Sequence, residues 1–322
     1  MSRSPLHGRP PLLPVVLALG LALTACGGSD DGRSGTAGGG PTNLSVGYFP
    51  LVHTASAVNA AEHDLFTAED LTVDLTPTAG GAQAIPALVA GEFDIVYGNY
   101  TSVFLAAQQG LPLQLVAGND VGGEDHSVLV AGSSPIQGPA DLAGKRIAVN
   151  NLLNIGTVAI NTLLEDAGVD PASVTYVELP YPDMQPALER GDVDAIWQVE
   201  PFQAGALAAG SRIVLPMFAG PTEGMPVAGW VTTEQFATEN PEALEAFQRA
   251  LGASMTELQG DQARLVELVP TYTQVSAEVV EQVAMPTWSA ELDTARLQDI
   301  ADLMLTYELI DAELDVSTIT GG

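Results

Sequence analysis

The chain has 322 residues, 46 % of them hydrophobic, and carries 40 acidic against 10 basic side chains. This length suits two α/β lobes or one large domain, and the hydrophobic fraction excludes a wholly disordered chain. A formal charge of −30 repels phosphate backbones, so no nucleic-acid partner is expected. Any anion site must be built from local donors, because the overall field repels anions.

The first 42 residues predict an export signal followed by a tether. Arg3 and Arg9 precede an apolar run over 12–25, which has the plan of a secretory signal peptide and is too short to span a membrane. The run ends in Leu23-Thr24-Ala25-Cys26, which resembles the bacterial lipobox. We therefore expect a lipoprotein signal peptide over 1–25. An ordinary signal peptide with a chance cysteine is the alternative.

Cys26 is the one cysteine of the chain, so internal disulfides and cysteine-based metal clusters are excluded. The Gly/Ser-rich stretch that follows it is typical of a flexible tether over 26–42. Lipidation of Cys26 would anchor the protein to the outer face of the cell membrane, an extracytoplasmic location.

From residue 43 onward, short β-rich runs alternate with helical segments. Strands are predicted at 44–49, 71–76, 93–97, 113–117, 127–131, 146–150, 174–178, 193–197, 212–215 and 226–232. Helices are predicted at 54–64, 82–90, 100–109, 156–167, 184–189 and 201–209, before a purely helical end over 234–309. The alternation predicts an α/β fold with mostly parallel sheets and helices on both faces. Glu124-Asp125-His126 is predicted to be a crossover between two such units.

A short sequence repeat supports two related units. Pro86-Ala87-Leu88-x-x-Gly91-x-x-Asp94 recurs one hundred residues later as Pro186-Ala187-Leu188-x-x-Gly191-x-x-Asp194. In each copy the glycine suits a left-handed helix end and the aspartate lies at the start of the next predicted strand. Chance recurrence of a common helix–glycine–strand junction is the alternative.

The loops after the predicted strands are the expected ligand site, because ligands of open α/β sheets bind beyond the carboxyl ends of strands. These loops carry small or hydrogen-bonding residues just before helices, where free N–H groups can hold an anion without any lysine. Asn99, Thr101, Asn154 and Thr157 could equally serve as plain helix N-caps.

Several segments give the chain a family resemblance. They are Val46-Gly47-Tyr48-Phe49-Pro50, Glu69-Asp70-Leu71-Thr72-Val73-Asp74, Gly110-Leu111-Pro112, Asp141-Leu142-Ala143-Gly144-Lys145-Arg146 and Gly191-Asp192-Val193-Asp194-Ala195 to Glu200-Pro201-Phe202. With these residues the chain resembles the SsuA/TauA-like solute-binding proteins of ABC importers, which bind nitrate, sulfonates, taurine or thiamine-precursor pyrimidines.

The resemblance implies a two-lobed type II periplasmic-binding-protein fold whose lobes close on the ligand. Lobe one would comprise 43–125 plus 222–322, and lobe two 126–221. Carried over by position, the ligand-binding residues are Tyr48, His53, Gly80, Gly81, Asn99, Tyr100, Thr101, Asn150, Asn154, Gly156, Thr157, Trp197 and Glu200. If Glu200 reaches the ligand, a zwitterion or an amino-bearing ring is favoured.

The resemblance further implies a monomer without cofactors that captures a small anion and works with an ABC permease and ATPase. A thiamine-precursor pyrimidine or an aromatic carboxylate is the alternative ligand. An enzyme on the same fold, similar to pyrimidine synthases, or a solute-sensing receptor are the alternatives of another class. His53, His63 and His126 form no recognisable catalytic triad, and their spacing indicates no metal site. We expect Trp197→Ala to abolish ligand binding and to leave the melting temperature nearly unchanged.

Overall fold

The computed structural model describes residues 41–321, which belong to one compact unit. The predicted signal peptide, Cys26 and nearly all of the predicted tether lie outside the described residues. Strand β1 begins at Thr42, the last residue of the predicted tether. Among the described helices, none combines the length and the apolar character needed to cross a membrane.

The described residues alternate strands and helices as the sequence indicates. The strands are β1 Thr42–Tyr48, β2 Leu71–Pro77, β3 Ile95–Asn99, β4 Leu113–Val121, β5 His126–Val130, β6 Arg146–Val149, β7 Thr175–Glu178, β8 Ala195–Val199, β9 Arg212–Pro216, β10 Pro226–Thr233 and β11 Thr287–Trp288. The α-helices are α1 Ala55–Glu62, α2 Leu65–Ala68, α3 Gly81–Val89, α4 Tyr100–Gln108, α5 Ile155–Asp166, α6 Tyr181–Arg190, α7 Phe202–Ala208, α8 Glu234–Glu239, α9 Pro241–Leu258, α10 Gln262–Tyr272, α11 Ala277–Val280 and α12 Thr294–Thr306.

The strands form two mixed sheets. The first has the order β11-β4-β10-β3-β1-β2, and the second the order β7-β6-β8-β5-β9. The pairs of β1 with β2 and β3, and of β6 with β7 and β8, are parallel. The pairs made by β10, β11 and β5 are antiparallel. The expectation of mostly parallel sheets is therefore wrong, because strands that return from the other sheet run against their neighbours.

The chain passes between the sheets at two places. The first passage joins β4 to β5 through Glu124 and Asp125, so the predicted crossover is confirmed. The second joins β9 to β10 between Pro216 and Pro226. The strands divide between the sheets as the predicted lobes do, and the lobe boundaries themselves stay a prediction.

The C-terminal part is helical except for β11. This two-residue strand pairs Trp288 with Asp120 at the edge of the first sheet, so the expectation of a purely helical end is wrong. Two residues are too few to show the period-2 alternation by which a strand is recognised in a sequence. The Trp288 indole nitrogen donates to the His53 carbonyl at 2.7 Å, which fixes the C-terminal part beside the loop after β1.

The sequence repeat corresponds to the same junction built twice. Gly91 and Gly191 have φ of 78° and 74°, a backbone conformation that favours glycine at a helix end. Asp94 then accepts from the Ser45 backbone N–H at 2.7 Å, and Asp194 accepts from the Arg146 N–H at 2.9 Å. Each aspartate thus joins a central strand, β3 or β8, to its parallel neighbour.

Candidate functional site

A narrow cleft of about 40 Å³ lies between the two sheets. The first sheet contributes the loop after β1, the turn before α3 and the ends of β3 and β10. The second contributes β5, β8, the loop after β6 and the starts of α5 and α6. The lining residues are Phe49, Leu51, His53, Gly80, Gly81, Tyr97, Asn99, His126, Asn150, Asn154, Ile155, Tyr181, Trp197, Val199, Val227 and Ala228.

The structure brings part of the predicted site together around this cleft. Seven predicted residues line it: His53, Gly80, Gly81, Asn99, Asn150, Asn154 and Trp197. Six do not: Tyr48, Tyr100, Thr101, Gly156, Thr157 and Glu200. Ligand contact stays a prediction for both groups, and the residues of the second group lie behind the lining.

Packing explains why three of these six residues lie behind the lining. The Tyr48 ring makes an edge contact with Tyr272, with centroids 6.0 Å apart. Tyr100 is buried, and its hydroxyl lies against Gly229 in β10. The Thr101 hydroxyl is 2.7 Å from Asn99 Oδ1, so Thr101 orients the Asn99 side chain from behind.

Gly156 and Thr157 belong to the first turn of α5. The Thr157 side chain completes a capping box with Asn154, and Gly156 lies under the Trp197 ring. Both residues therefore position the cleft residues Asn154 and Trp197 from beneath.

Glu200 is buried and engaged with backbone groups. Its carboxylate accepts from the Ala204 N–H and the Ala284 N–H, each at 3.0 Å. Burial raises the pKa of Glu200 to about 7, although these two hydrogen bonds oppose the rise. Glu200 does not line the cleft, and its contact with a ligand stays a prediction.

Two asparagines act as helix caps at the rim of the cleft. Asn99 Oδ1 accepts from the Ser102 N–H at 2.9 Å, and Asn154 Oδ1 accepts from the Gly156 N–H at 2.9 Å. Each cap satisfies an otherwise unpaired N–H of its helix. The Asn99 amide NH₂ makes no hydrogen bond within residues 41–321, so it is free to donate to a ligand. Asn99 and Asn154 therefore each cap a helix and also line the cleft.

The turn before α3 brings backbone donors to the cleft. Gly80 has φ of 102°, which L side chains rarely adopt, and a Cβ on Gly81 would lie 3.1 Å from Gly98 Cα and Ser102 Cβ. Glycine at these positions therefore permits both the turn and the close approach of β3. The first N–H groups of α3 have no intrahelical partner and carry the positive end of the helix dipole.

An aromatic wall faces this turn from the second sheet. The Tyr181 ring stacks on Phe49 with centroids 6.2 Å apart and meets the Trp197 ring edge-on at 5.7 Å. Trp197 is only 1 % exposed, and its six-membered ring packs on Gly156. The structure therefore contradicts the expectation that Trp197→Ala leaves the melting temperature unchanged. The Trp197 Nε1–H is buried without a hydrogen-bond partner among the described residues.

A buried charged group lies at the crossover. His53 Nε2 is 2.7 Å from Asp125 Oδ2, and His126 Nε2 is 3.7 Å from the same oxygen. Burial alone would lower the pKa of His53, but Asp120 and then Asp125 outweigh burial and raise it. Burial lowers the pKa of His126 to about 3. The neighbouring carboxylates thus favour the protonated form of His53 more than water does, whereas burial favours the neutral form of His126.

Asp125 is the anion of this group. Burial would raise the pKa of Asp125, but the two neighbouring histidines outweigh burial and hold it below its usual value. His53, Asp125 and His126 together form a set of side chains able to hold a metal ion. The spacing of the histidines in the sequence gives no sign of this set, because His53 lies 72 residues before Asp125. Only the fold brings these residues together.

Sequence reasoning missed several other lining residues. Phe49 and Tyr181 flank predicted strand ends, and His126 was recognised only as part of the crossover. Their position beside a strand end was visible in the sequence, but whether a ring faces the cleft or the core depends on packing. Tyr97, Val199 and Val227 carry no polar signal that separates them from core residues.

Comparisons with known proteins agree with this fold. Residues 52–264 match the model of a family described as NMT1/THI5 like. The taurine-binding periplasmic protein of Escherichia coli is 27 % identical over 209 residues, which cover 65 % of this chain. The matched region spans 64 % of that relative's length.

Two solved structures share the fold. The alkanesulfonate-binding protein SsuA from Xanthomonas axonopodis pv. citri, bound to MOPS, superposes with a TM-score of 0.77 at 20 % identity and covers 88 % of this chain and 99 % of its own. The aliphatic sulphonate binding protein SsuA from Escherichia coli superposes with a TM-score of 0.74 at 20 % identity and covers 87 % of this chain and 92 % of its own. The predicted periplasmic-binding-protein fold and the predicted family resemblance are confirmed.

Proposed function

Because the chain belongs to the NMT1/THI5-like family, we propose that it is an extracytoplasmic solute-binding protein of an ABC importer. Its ligand would be a small anion, such as a sulfonate, taurine or nitrate, held in the cleft between the sheets. The observation that carries this proposal is the set of neutral donors at the cleft that have no partner within the described part of the chain, with the Trp197 indole N–H buried among them.

The donors suit a singly charged anion. The Asn99 amide, the Trp197 indole and the N-terminus of α3 all offer N–H groups around the same space. Such groups bind an anion through hydrogen bonds and the helix dipole. The lining contains neither arginine nor lysine, so a strongly dianionic ligand is disfavoured.

The apolar part of the lining suits an organic ligand. Phe49, Tyr181 and Ile155 face the same cleft, and ligand sites typically combine such walls with a few polar groups. The stacked rings of Phe49 and Tyr181 also favour the second candidate ligand, an aromatic carboxylate or a thiamine-precursor pyrimidine.

The proposal includes lipid anchoring at Cys26, a monomeric protein and delivery of the solute to a permease and ATPase. Support for the anchor is the lipobox-like Leu23-Thr24-Ala25-Cys26. We propose binding without catalysis, since the side chains that line the cleft within residues 41–321 include no serine or cysteine nucleophile.

A thermal-shift panel on the purified chain tests the proposal, with taurine, alkanesulfonates, nitrate, aromatic carboxylates and an aminopyrimidine as probes. A true ligand at 100 times its Kd stabilises the folded state by about 2.7 kcal/mol. The anion proposal is wrong if only uncharged probes shift the melting temperature, and the solute-binding proposal is wrong if no probe does.

Trp197→Phe tests the indole donor while keeping a buried ring. Loss of a hydrogen bond to a charged group costs about 1.5–3 kcal/mol, so affinity for the active probe should fall roughly 10- to 100-fold. Trp230→Phe is the matched control, because the Trp230 indole already donates to Asn119 at 3.1 Å and Trp230 does not line the cleft. Equal loss of affinity in both variants would assign the effect to general destabilisation.

A further inference from the structure

We propose that His53, Asp125 and His126 form a binding site for a divalent transition-metal ion, such as Zn²⁺, in the wall of the cleft. This site goes beyond solute binding and does not depend on the identity of the solute. Two imidazoles and one carboxylate are the kind of ligands that Zn²⁺ takes when a fourth position stays open.

The distances between the three side chains suit such an ion. One ligand atom from each residue can be chosen so that all lie within 4.8 Å of one another. Zn²⁺ holds nitrogen and oxygen ligands at about 2.0–2.2 Å, so tetrahedral ligands are roughly 3.4 Å apart. His53 Nε2 and Asp125 Oδ2, at 2.7 Å, must separate slightly, and His126 Nε2, at 3.7 Å from that oxygen, is already close to this spacing.

Unpartnered buried atoms supply the second, independent observation. Both ring nitrogens of His126, His53 Nδ1 and Asp125 Oδ1 are buried without a hydrogen-bond partner among the described residues. A buried polar atom left unpaired costs about 1–3 kcal/mol. A simple His53–Asp125 pair accounts for only one contact and leaves His126 unexplained, whereas a bound cation gives His126 a partner.

Two hydrogen bonds hold the backbone of His53 in place. The backbone carbonyl of His53 accepts from Asn119 Nδ2 at 3.0 Å and from Trp288 Nε1 at 2.7 Å. Such outer contacts fix the orientation of a metal-binding residue. His53 and His126 both line the cleft, so the open fourth position would face the cleft and accept water or an anionic group.

Equilibrium dialysis of the chelator-treated full chain against Zn²⁺ tests the site. We expect one bound Zn²⁺ per chain and an affinity loss of more than about 100-fold in His126→Gln, beyond the 10- to 100-fold loss typical of outer contacts. His63→Gln is the matched control, because His63 is exposed at the end of α1, and it should bind as the unaltered chain does. Equal affinities in the two variants would overturn the proposal.

Co²⁺ absorption gives a second readout that needs no variant. Co²⁺ at the proposed site should show the intense visible bands of tetrahedral coordination, and added Zn²⁺ should remove them. Weak bands typical of octahedral Co²⁺, or no spectral change at saturating Co²⁺, would contradict the site even if His126→Gln failed to fold. Because both experiments use metal alone, their outcome is independent of whether the protein captures a sulfonate.

Discussion

Gly156→Ala is the sharpest test of how the cleft wall is built. An ideal Cβ on Gly156 would lie 2.2 Å from Cε3 and Cζ3 of the Trp197 ring and 2.7 Å from Cη2. Ordinary contacts of a Cβ begin near 3.4 Å, so the ring and the first turn of α5 must separate by more than one ångström. Trp197 is 1 % exposed, and its ring has space to move only on the side of the cleft.

The expected loss of stability in Gly156→Ala follows from this overlap. Overpacking a filled core typically lowers the unfolding free energy by 1–3 kcal/mol. Because the rigid indole lies against helix backbone, we expect Gly156→Ala to lower it by about 3 kcal/mol. At roughly 2–4 °C per kcal/mol for a domain of 150–250 residues, the melting temperature should fall by about 6–12 °C. The displaced ring would also narrow the cleft and weaken binding of any solute.

Urea and thermal unfolding measure the loss, with Gly252→Ala as the matched control. Gly252 lies within α9, and a Cβ there would meet nothing within 4 Å. Alanine in a helix is favoured over glycine by about 1 kcal/mol, so the control should unfold at the same or a slightly higher temperature. If Gly156→Ala is as stable as Gly252→Ala, the reasoning that Trp197 packs on Gly156 is refuted.

Three further predictions concern residues around the cleft. Asn99→Asp should keep its helix cap and its melting temperature but should lose anion-induced thermal shifts, since a carboxylate replaces the donor NH₂; retained shifts would contradict this role. Glu200→Ala should lower the unfolding free energy in urea by about 2–4 kcal/mol, because two buried N–H groups lose their acceptor, whereas Glu200→Gln should lose less; equal losses would show that the acceptor does not matter. Gly80→Ala should lower the unfolding free energy by about 1–3 kcal/mol, because alanine is strained at the φ of 102° found there, and should weaken anion binding. An unchanged melting temperature would contradict that strain.

As far as β10, the order of strands was predictable from the sequence because its signals are local. Gly91 and Gly191 mark helix ends by their backbone freedom, and the aspartates three residues later directly precede strands in both sheets. The crossover at Asp125 was likewise visible as a polar interruption between buried runs. Strand direction was harder, since the return of β10 between β3 and β4 depends on contacts distant in the chain.

The candidate site was predictable only where backbone chemistry defines it. Gly80, Gly81, Asn99 and Asn154 were identified from turns and helix starts, and the structure places them at the cleft. Trp197 also lines the cleft, but its burial depends on Gly156, which no local pattern links to it.

The metal-binding set required tertiary structure in a similar way. His53 follows β1, whereas Asp125 and His126 lie at the crossover, and the histidine spacing along the chain gives no sign of their approach. The signal that could have suggested this set is the pair of Asp125 and His126 side by side at the crossover.

Isothermal titration calorimetry with taurine and alkanesulfonates tests the central claim, that the cleft captures a small anion. We expect saturable binding of at least one sulfonate at one site per chain, lost in Asn99→Asp and retained in Gly252→Ala. Absence of heat with every sulfonate, or undiminished binding to Asn99→Asp, would contradict anion capture in this cleft.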